Sequence, residues 1–308
     1  NLDVIITITT QESEVSFVLI AQANLKECLV GGYDLHVHSE PSHVTRRLDD
    51  FEVLQQASEV QMSGIMLKNH YESTAGRAAL LNRSGQYSTR AYGGIVLNWP
   101  AGGLNPYAVE SALKLGASFV WLPTRDAANC LRYGNMDGDF FDRPGISIFD
   151  RDGNILPQIY QILEIIRHHN AVFATGHVSP EEAVSACKVA RKMGVRTVLT
   201  HPEWGRTKIS GEIQGALAKL GVFVEKAWMN IAEGECTAEE MIKNIRQVGC
   251  EHIFISTDRG QKGRETPREG MLQFVAMLME NGFTPQEIHI MIHTVPEILL
   301  SEKIAKCA

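Results

Sequence analysis

From Tyr33 onward, short runs rich in β-branched and aliphatic residues alternate with longer segments whose apolar positions recur at helical spacing. That alternation is the signature of a parallel sheet joined by crossover helices. Strands are predicted at Tyr33–His38, Gly64–Asn69, Ala91–Leu97, Ser118–Leu122, Ala171–Thr175, Thr197–Thr200, Val222–Lys226 and Ile253–Thr257. Helices are predicted over Asp50–Met62, Asn105–Leu115, Pro157–His169, Pro180–Met193 and Ala238–Val248. Ser179-Pro180-Glu181-Glu182 places a capping hydroxyl, a proline in the first helical position and acids in the first turn. Eight strands interleaved with helices predict an α/β fold, the (β/α)8 TIM barrel, which takes about 250 residues as one domain. An open doubly wound sheet normally carries a glycine-rich phosphate loop after its first strand. Here the first strand ends in two histidines, His36 and His38.

Two segments stand outside the repeat. Residues 1–32 read as an N-terminal β-rich extension, with strands at Val4–Thr9 and Val15–Ile20, which leaves 33–308 as the barrel. Residues 125–155 form an insertion after strand four, with a hairpin around Arg151-Asp152-Gly153. Long excursions after a barrel strand usually cover or shape the active site.

Composition narrows the function. Lys plus Arg is 29 and Asp plus Glu is 36, a formal net charge of −7. That balance argues against nucleic acid or an anionic membrane as partner, since both need clustered positive charge. No apolar run reaches the roughly 20 residues that span a bilayer. The six cysteines are scattered without a CxxC pair, the pattern of reduced thiols in a cytoplasmic protein. The expected partner is a small-molecule substrate, and the N-terminal β element could pair with a second copy in a homo-oligomer.

The chemistry lies where imidazoles and carboxylates fall. His36 and His38 share one face at the end of strand one, because alternate strand residues point the same way. His70, His177 and His201 end strands two, five and six, and Asp258 follows strand eight. A lone histidine at a strand end is more often a cap or a packing residue than a ligand. Repeated at the same end of successive barrel strands, these residues converge on one mouth, where such enzymes place their chemistry. Neutral imidazole and carboxylate suit zinc first, with manganese or iron as alternatives.

His-x-His at strand one, His at strands five and six and Asp at strand eight resembles the ligand order of the amidohydrolase superfamily. Asp34-Leu35-His36-Val37-His38-Ser39 is also similar to the first motif of the polymerase and histidinol phosphatase (PHP) family. The likeness runs from Tyr33 to Leu300 and includes Gly176-His177-Val178-Ser179, Thr200-His201-Pro202 and the closing Pro296-Glu297-Ile298-Leu299-Leu300. It implies one or two divalent metals per chain. His36, His38 and Asp258 would hold the first, His177 and His201 the second, with Asp258 also taking the proton of the attacking water.

The superfamily's bridging ligand is a carboxylated Lys or a Glu ending strand four, where this chain reads Phe119-Val120-Trp121-Leu122-Pro123-Thr124. Lys68, two residues before His70, is the nearest substitute. It would need to be carboxylated to bind metal; as an ammonium it would pair with an anionic group such as Glu225. His70 matches the second PHP motif and is a metal or substrate ligand.

Glu203, Arg206, Glu225 and Arg259 are candidate substrate contacts on the loops and strand ends of the mouth. Arg46-Arg47 could receive a phosphate or carboxylate, although an arginine pair entering a helix is usually exposed. His43 could serve a third metal or lie in a solvated loop. The resemblance implies a hydrolase that uses metal-activated water on an amide, lactone, ester or phosphoester bond. The alternatives are a mononuclear non-oxidative decarboxylase and a PHP-type phosphoesterase.

Overall fold

All eight predicted strands form, hydrogen-bonded in sequence order and parallel throughout. The computed structural model describes residues 25–301 except 137, 138, 140 and 141. The predicted strands Val4–Thr9 and Val15–Ile20 lie outside the described residues, as do Asp137 and Gly138 of the insertion.

In chain order the barrel runs β1 (Tyr33–Val37), α1 (Asp50–Glu59), β2 (Gly64–Leu67), α2 (Ala75–Ser84), β3 (Arg90–Val96), α3 (Pro106–Lys114) and β4 (Phe119–Trp121). The insertion carries α4 (Ala128–Leu131), after which come α5 (Pro157–His168), β5 (Val172–Ala174), α6 (Pro180–Lys192), β6 (Arg196–Leu199) and α7 (Gly211–Ala218). The chain continues through β7 (Phe223–Ala227), α8 (Trp228–Ala232), α9 (Ala238–Val248), β8 (Ile253–Ser256), α10 (Pro267–Glu280), α11 (Pro285–His289) and α12 (Val295–Leu300). The cap read at Ser179 is present: its side chain accepts from Glu182 N while the Glu182 carboxylate accepts from Ser179 N.

Two backbone bonds bring β8 back to β1. His38 N donates to Arg259 O at 2.8 Å, and Asp258 N donates to His36 O at 2.9 Å. The Asp34 side chain ties the same seam, accepting from Thr257 N at 3.1 Å, Thr257 Oγ1 at 2.5 Å and His36 N at 3.2 Å. At Gly260, with φ +138°, an added Cβ would fall 1.7 Å from His38 O. Only glycine permits that approach of the β8 loop to the end of β1.

Side chains from alternate strand positions, among them Leu35, Met66, Val96, Trp121, Val198 and Phe254, form a core cluster that fills the barrel. Trp121 fits because β3 has Gly94 opposite, where a Cβ would meet the indole at 2.3 Å. A second, larger cluster, including Val37, Val120, Phe173 and Val224, packs the outward faces of the strands against the helices. Burying each such large apolar side chain stabilises by about 1.5–3 kcal/mol before entropy is counted.

The insertion folds back on the barrel through a bridge between Ala127 and Ile146. The predicted hairpin is present, with Phe149 bridging Ile155 and Asp150 N donating to Asn154 O at 2.9 Å. No helix among the described residues is long and apolar enough to cross a membrane.

Candidate metal centre

An irregularity in β1 creates the site. Asp34 pairs with Ile65 and Val37 with Leu67, so β1 carries one residue more than β2 over that stretch. Such a bulge re-aims side chains. Leu35 belongs to the core inside the barrel, yet its neighbour His36 also points inward, and His38 after it.

Five imidazoles then form a closed ring at the mouth. Successive ring centroids lie 5.2 Å apart for His36–His38, 4.9 Å for His38–His70, 6.0 Å for His70–His177, 5.1 Å for His177–His201 and 5.8 Å for His201–His36. Asp258 joins on one side, with Oδ1 3.1 Å from His36 Nε2 and 3.0 Å from His38 Nε2. One ligand atom from each of His36, His38 and Asp258 lies within 4.8 Å of the others, and all three residues are buried. Trp204 packs against His177 and His201, with centroids at 4.7 and 5.6 Å.

The outer nitrogens fix the tautomers. His36 Nδ1 lies 2.7 Å from Glu225 Oε1, and His38 Nδ1 lies 2.9 Å from Lys68 O. Both partners accept only, so each Nδ1 donates and each Nε2 turns inward. Burial, with Arg46 nearby, pushes His38 down to about 3, so it is uncharged at neutral pH. The Nε2 lone pair of neutral His38 therefore faces the Asp258 carboxylate at hydrogen-bonding distance, an arrangement that repels unless a cation sits beside them.

Further buried nitrogens also lack partners. His177 Nδ1 and both His201 nitrogens have no hydrogen bond among the described residues. Each such buried polar atom costs about 1–3 kcal/mol when unmatched. Burial lowers both rings from their usual value, reinforced at His177 by His201. The donor set thus fits a divalent metal: imidazole nitrogens and a carboxylate, gathered in a buried cluster.

Burial raises the Asp258 carboxyl, but its contacts with His36 and His38 outweigh that and hold it well below the carboxylate range. Burial likewise raises Glu225, and His36 outweighs it, leaving Glu225 at about 2. The backbone is strained at two of these residues: φ is +51° at Asp258 and +24° at His201. Non-glycine residues rarely adopt such values, and they concentrate at functional sites.

Lys68 does reach the centre. Its Nζ lies 2.9 Å from His36 Nε2 and 5.2 Å from the Trp121 ring, and burial lowers it from the usual lysine value. His70 shares the ring, but its Nδ1 lies 2.9 Å from Thr124 Oγ1, which also accepts from Asn98 Nδ2 at 2.7 Å.

The four expected substrate contacts are placed differently. Glu225 points into the barrel, as expected with Val224 pointing out. Its Oε1 is committed to His36 and Ser256, each at 2.7 Å, so it is placed to orient the His36 ring. Glu203 turns away from the mouth. It is fully buried against Lys226, Gln214 and Asn244, because Lys226 points to the outer face of β7 and needs a counter-charge. Arg206 Nη1 donates to Cys130 O at 3.2 Å and its guanidinium lies 5.3 Å over both the Tyr133 and Trp204 rings. Arg259 lines the mouth but is paired with Glu233 and Glu265, each at 2.8 Å.

The mouth is a cavity of about 880 Å³ that exposes His36, His38, His70, His177, His201 and Asp258. Arg46, His43 and Arg125 line it as well. Arg125 was not singled out in the sequence, although its place directly after the Thr124 that ends strand four was a signal. Arg47, by contrast, is exposed and ion-paired with Glu269 at 3.2 Å.

Solved structures share this architecture. The chain matches an amidohydrolase from Pseudomonas aeruginosa at 12% identity and a TM-score of 0.61, covering 91% of this chain and 98% of that one. It matches the probable dipeptidase PvdM from the same organism at 11% identity and a TM-score of 0.65, over 93% and 98%. It matches the lactonase Lmo2620 from Listeria monocytogenes at 14% identity and a TM-score of 0.60, over 91% and 97%. These likenesses are of fold. No curated protein matches the sequence. A family model does, over residues 31–225, which span β1 to the Glu225 that holds His36, and the chain belongs to that family of unknown function, DUF6282.

Proposed function

We propose that this chain is a metal-dependent hydrolase acting on a small molecule, with zinc first and manganese or iron as alternatives. The observation that carries it is Asp258 Oδ1 at 3.1 and 3.0 Å from two histidine nitrogens whose outer nitrogens are already committed. His36, His38 and Asp258 would hold one ion, and His177 and His201, with their partnerless nitrogens, a second. When bound, such a metal supplies Lewis acidity toward the scissile group and lowers the pKa of water.

The chain's own residues do the rest. Glu225 and the Lys68 carbonyl keep Nδ1 of His36 and His38 protonated, so Nε2 stays a donor of electrons. Asp258, ionised, is the group placed to take the proton of the attacking water. Trp204 packs against the His177 and His201 rings and holds them in place. Lys68, at 2.9 Å from His36 Nε2, is the residue from which a carbamate could bridge two ions.

The His36, His38 and Asp258 set is complete without Lys68, and that favours a second reading, a single-metal non-oxidative decarboxylase. The test is a panel of lactones, amides, carboxylic esters, phosphomonoesters and carboxylic acids given to zinc- or manganese-loaded protein. Hydrolysis that drops at least about 100-fold in Asp258→Asn supports the proposal. Release of carbon dioxide without hydrolysis favours the decarboxylase, and release of phosphate alone the phosphoesterase. Hydrolysis untouched by Asp258→Asn contradicts the roles assigned.

A further inference from the structure

Arg46 is a buried side chain at the mouth whose chemistry the metal centre leaves unexplained. Only 7% exposed, it lines the cavity, and its Nε is buried without a hydrogen-bond partner. No ion pair holds its guanidinium among the described residues. A guanidinium cannot shed its proton at neutral pH, so burial without a partner is costly unless something else supplies the negative charge.

The surroundings make the imbalance sharper. The charged groups that act most on Arg46 are Arg125, Asp258 and Glu40. Glu40 is spent on backbone amides, accepting from Ser42 N and Arg46 N, each at 2.7 Å. Asp258 belongs to the metal set. Arg125, itself 6% exposed, pairs with Asp139 at 3.0 Å and adds positive charge to the same wall. Across the cavity Arg259 and Arg264 are already matched, sharing Glu233 at 2.8 and 2.7 Å.

The backbone under Arg46 is fixed. Its amide is held by Glu40, it bridges Gln261, and Arg47 N donates to Gly260 O at 2.8 Å. The same seam that closes the barrel therefore aims Arg46 into the mouth. A pre-placed, unpaired fork of donors beside a metal centre is built for an oxyanion, which it can grip through two parallel hydrogen bonds.

We infer that the substrate carries a carboxylate or phosphate group and that Arg46, with Arg125 behind it, is the subsite that receives this anion next to the metal centre. That the anion belongs to a substrate rests on the hydrolase reading, but the anion site itself stands on Arg46 alone. An acidic substrate also suits the cavity wall better than a neutral one. Charge on the non-reacting end of the molecule orients the scissile bond.

The test is calorimetric titration with inorganic phosphate and with acetate, on metal-loaded and chelator-treated protein. Wild type, Arg46→Met, Arg46→Lys and Arg47→Met are compared. At least one anion should bind wild type in both metal states. Arg46→Met should weaken it about tenfold or more, and Arg46→Lys should recover part, because an ammonium keeps the charge and loses the fork. Arg47→Met should bind as wild type. Phosphate binding tighter than acetate points to a phosphorylated substrate; the reverse points to a carboxylate. If Arg46→Met does not fold, judged by circular dichroism, Arg46→Lys carries the comparison, and equal binding to wild type overturns the inference. So does anion binding that needs metal and ignores Arg46. Arg46-dependent binding in the chelated protein upholds the subsite even where no hydrolysis is found. Hydrolysis with Arg46-independent anion binding leaves the hydrolase reading intact and removes the subsite.

Discussion

Glu225 Oε1 lies 2.7 Å from His36 Nδ1, on the side of the ring opposite Asp258, and both carboxyls are held below their usual range, Glu225 at about 2. The two share a ligand through a β7–β1–β8 relay across the barrel. Replacing Glu225 by Ala should therefore weaken metal binding about 10- to 100-fold without removing a ligand. Competition against a chromophoric chelator measures it. Unchanged affinity would show that Glu225 does not orient His36.

Gly260 tests the seam. Gly260→Ala meets both a φ of +138° and a carbonyl at 1.7 Å, so it should cost about 3 kcal/mol or more. Gly282→Ala, with φ +79° and nothing within 4 Å, should cost only about 1–2 kcal/mol. Urea denaturation compares them. Equal losses would mean that the close approach to His38 O does not matter.

The buried Lys226–Glu203 pair is structural on this account. Lys226→Met leaves Glu203 buried without its counter-charge and should cost about 3–5 kcal/mol. The double variant with Glu203→Gln should recover much of that, since the new side-chain carbonyl still accepts from Gln214 and Asn244. Single Glu203→Gln protein that folds should keep its kcat/KM. A rise in KM alone would return Glu203 to the substrate.

Metal-free protein should lose stability in mild acid. His38, His70, His177 and His201 all have folded values below the usual histidine value of 6.5, chiefly through burial. The unfolded chain binds protons near pH 6.5 while the folded chain does not, so their contribution is present above that pH and lost as pH falls below it. Asp258 and Glu225, lowered as well, push the same way at lower pH. Between pH 6.5 and 5 the unfolding free energy should fall by more than about 1.4 kcal/mol per pH unit. A flat profile in chelator-treated protein would contradict the buried neutral ring.

The barrel was legible because its strands and helices differ in period, and the mouth because histidines recur at strand ends. Strand limits moved by one or two residues, as with β4, predicted as Ser118–Leu122 and observed as Phe119–Trp121. What could not be read was direction. The bulge that turns both Leu35 and His36 inward depends on pairing with β2. Arg46 and Arg47 are indistinguishable by type, and only their own backbone pairings with Gln261 and Gly260 decide which is buried. Glu203 follows a mouth histidine, yet Lys226 on the outer face of β7 draws it away. Such pairings span strands and have no local signature.

Metal content decides the central claim. Protein loaded with zinc or manganese and freed of excess is assayed by elemental analysis, beside His38→Ala and the remote His289→Ala. The account predicts about one equivalent or more in wild type and in His289→Ala, and a loss of about tenfold or more in affinity with His38→Ala. Wild type without bound metal, or His38→Ala retaining the full complement, would contradict it.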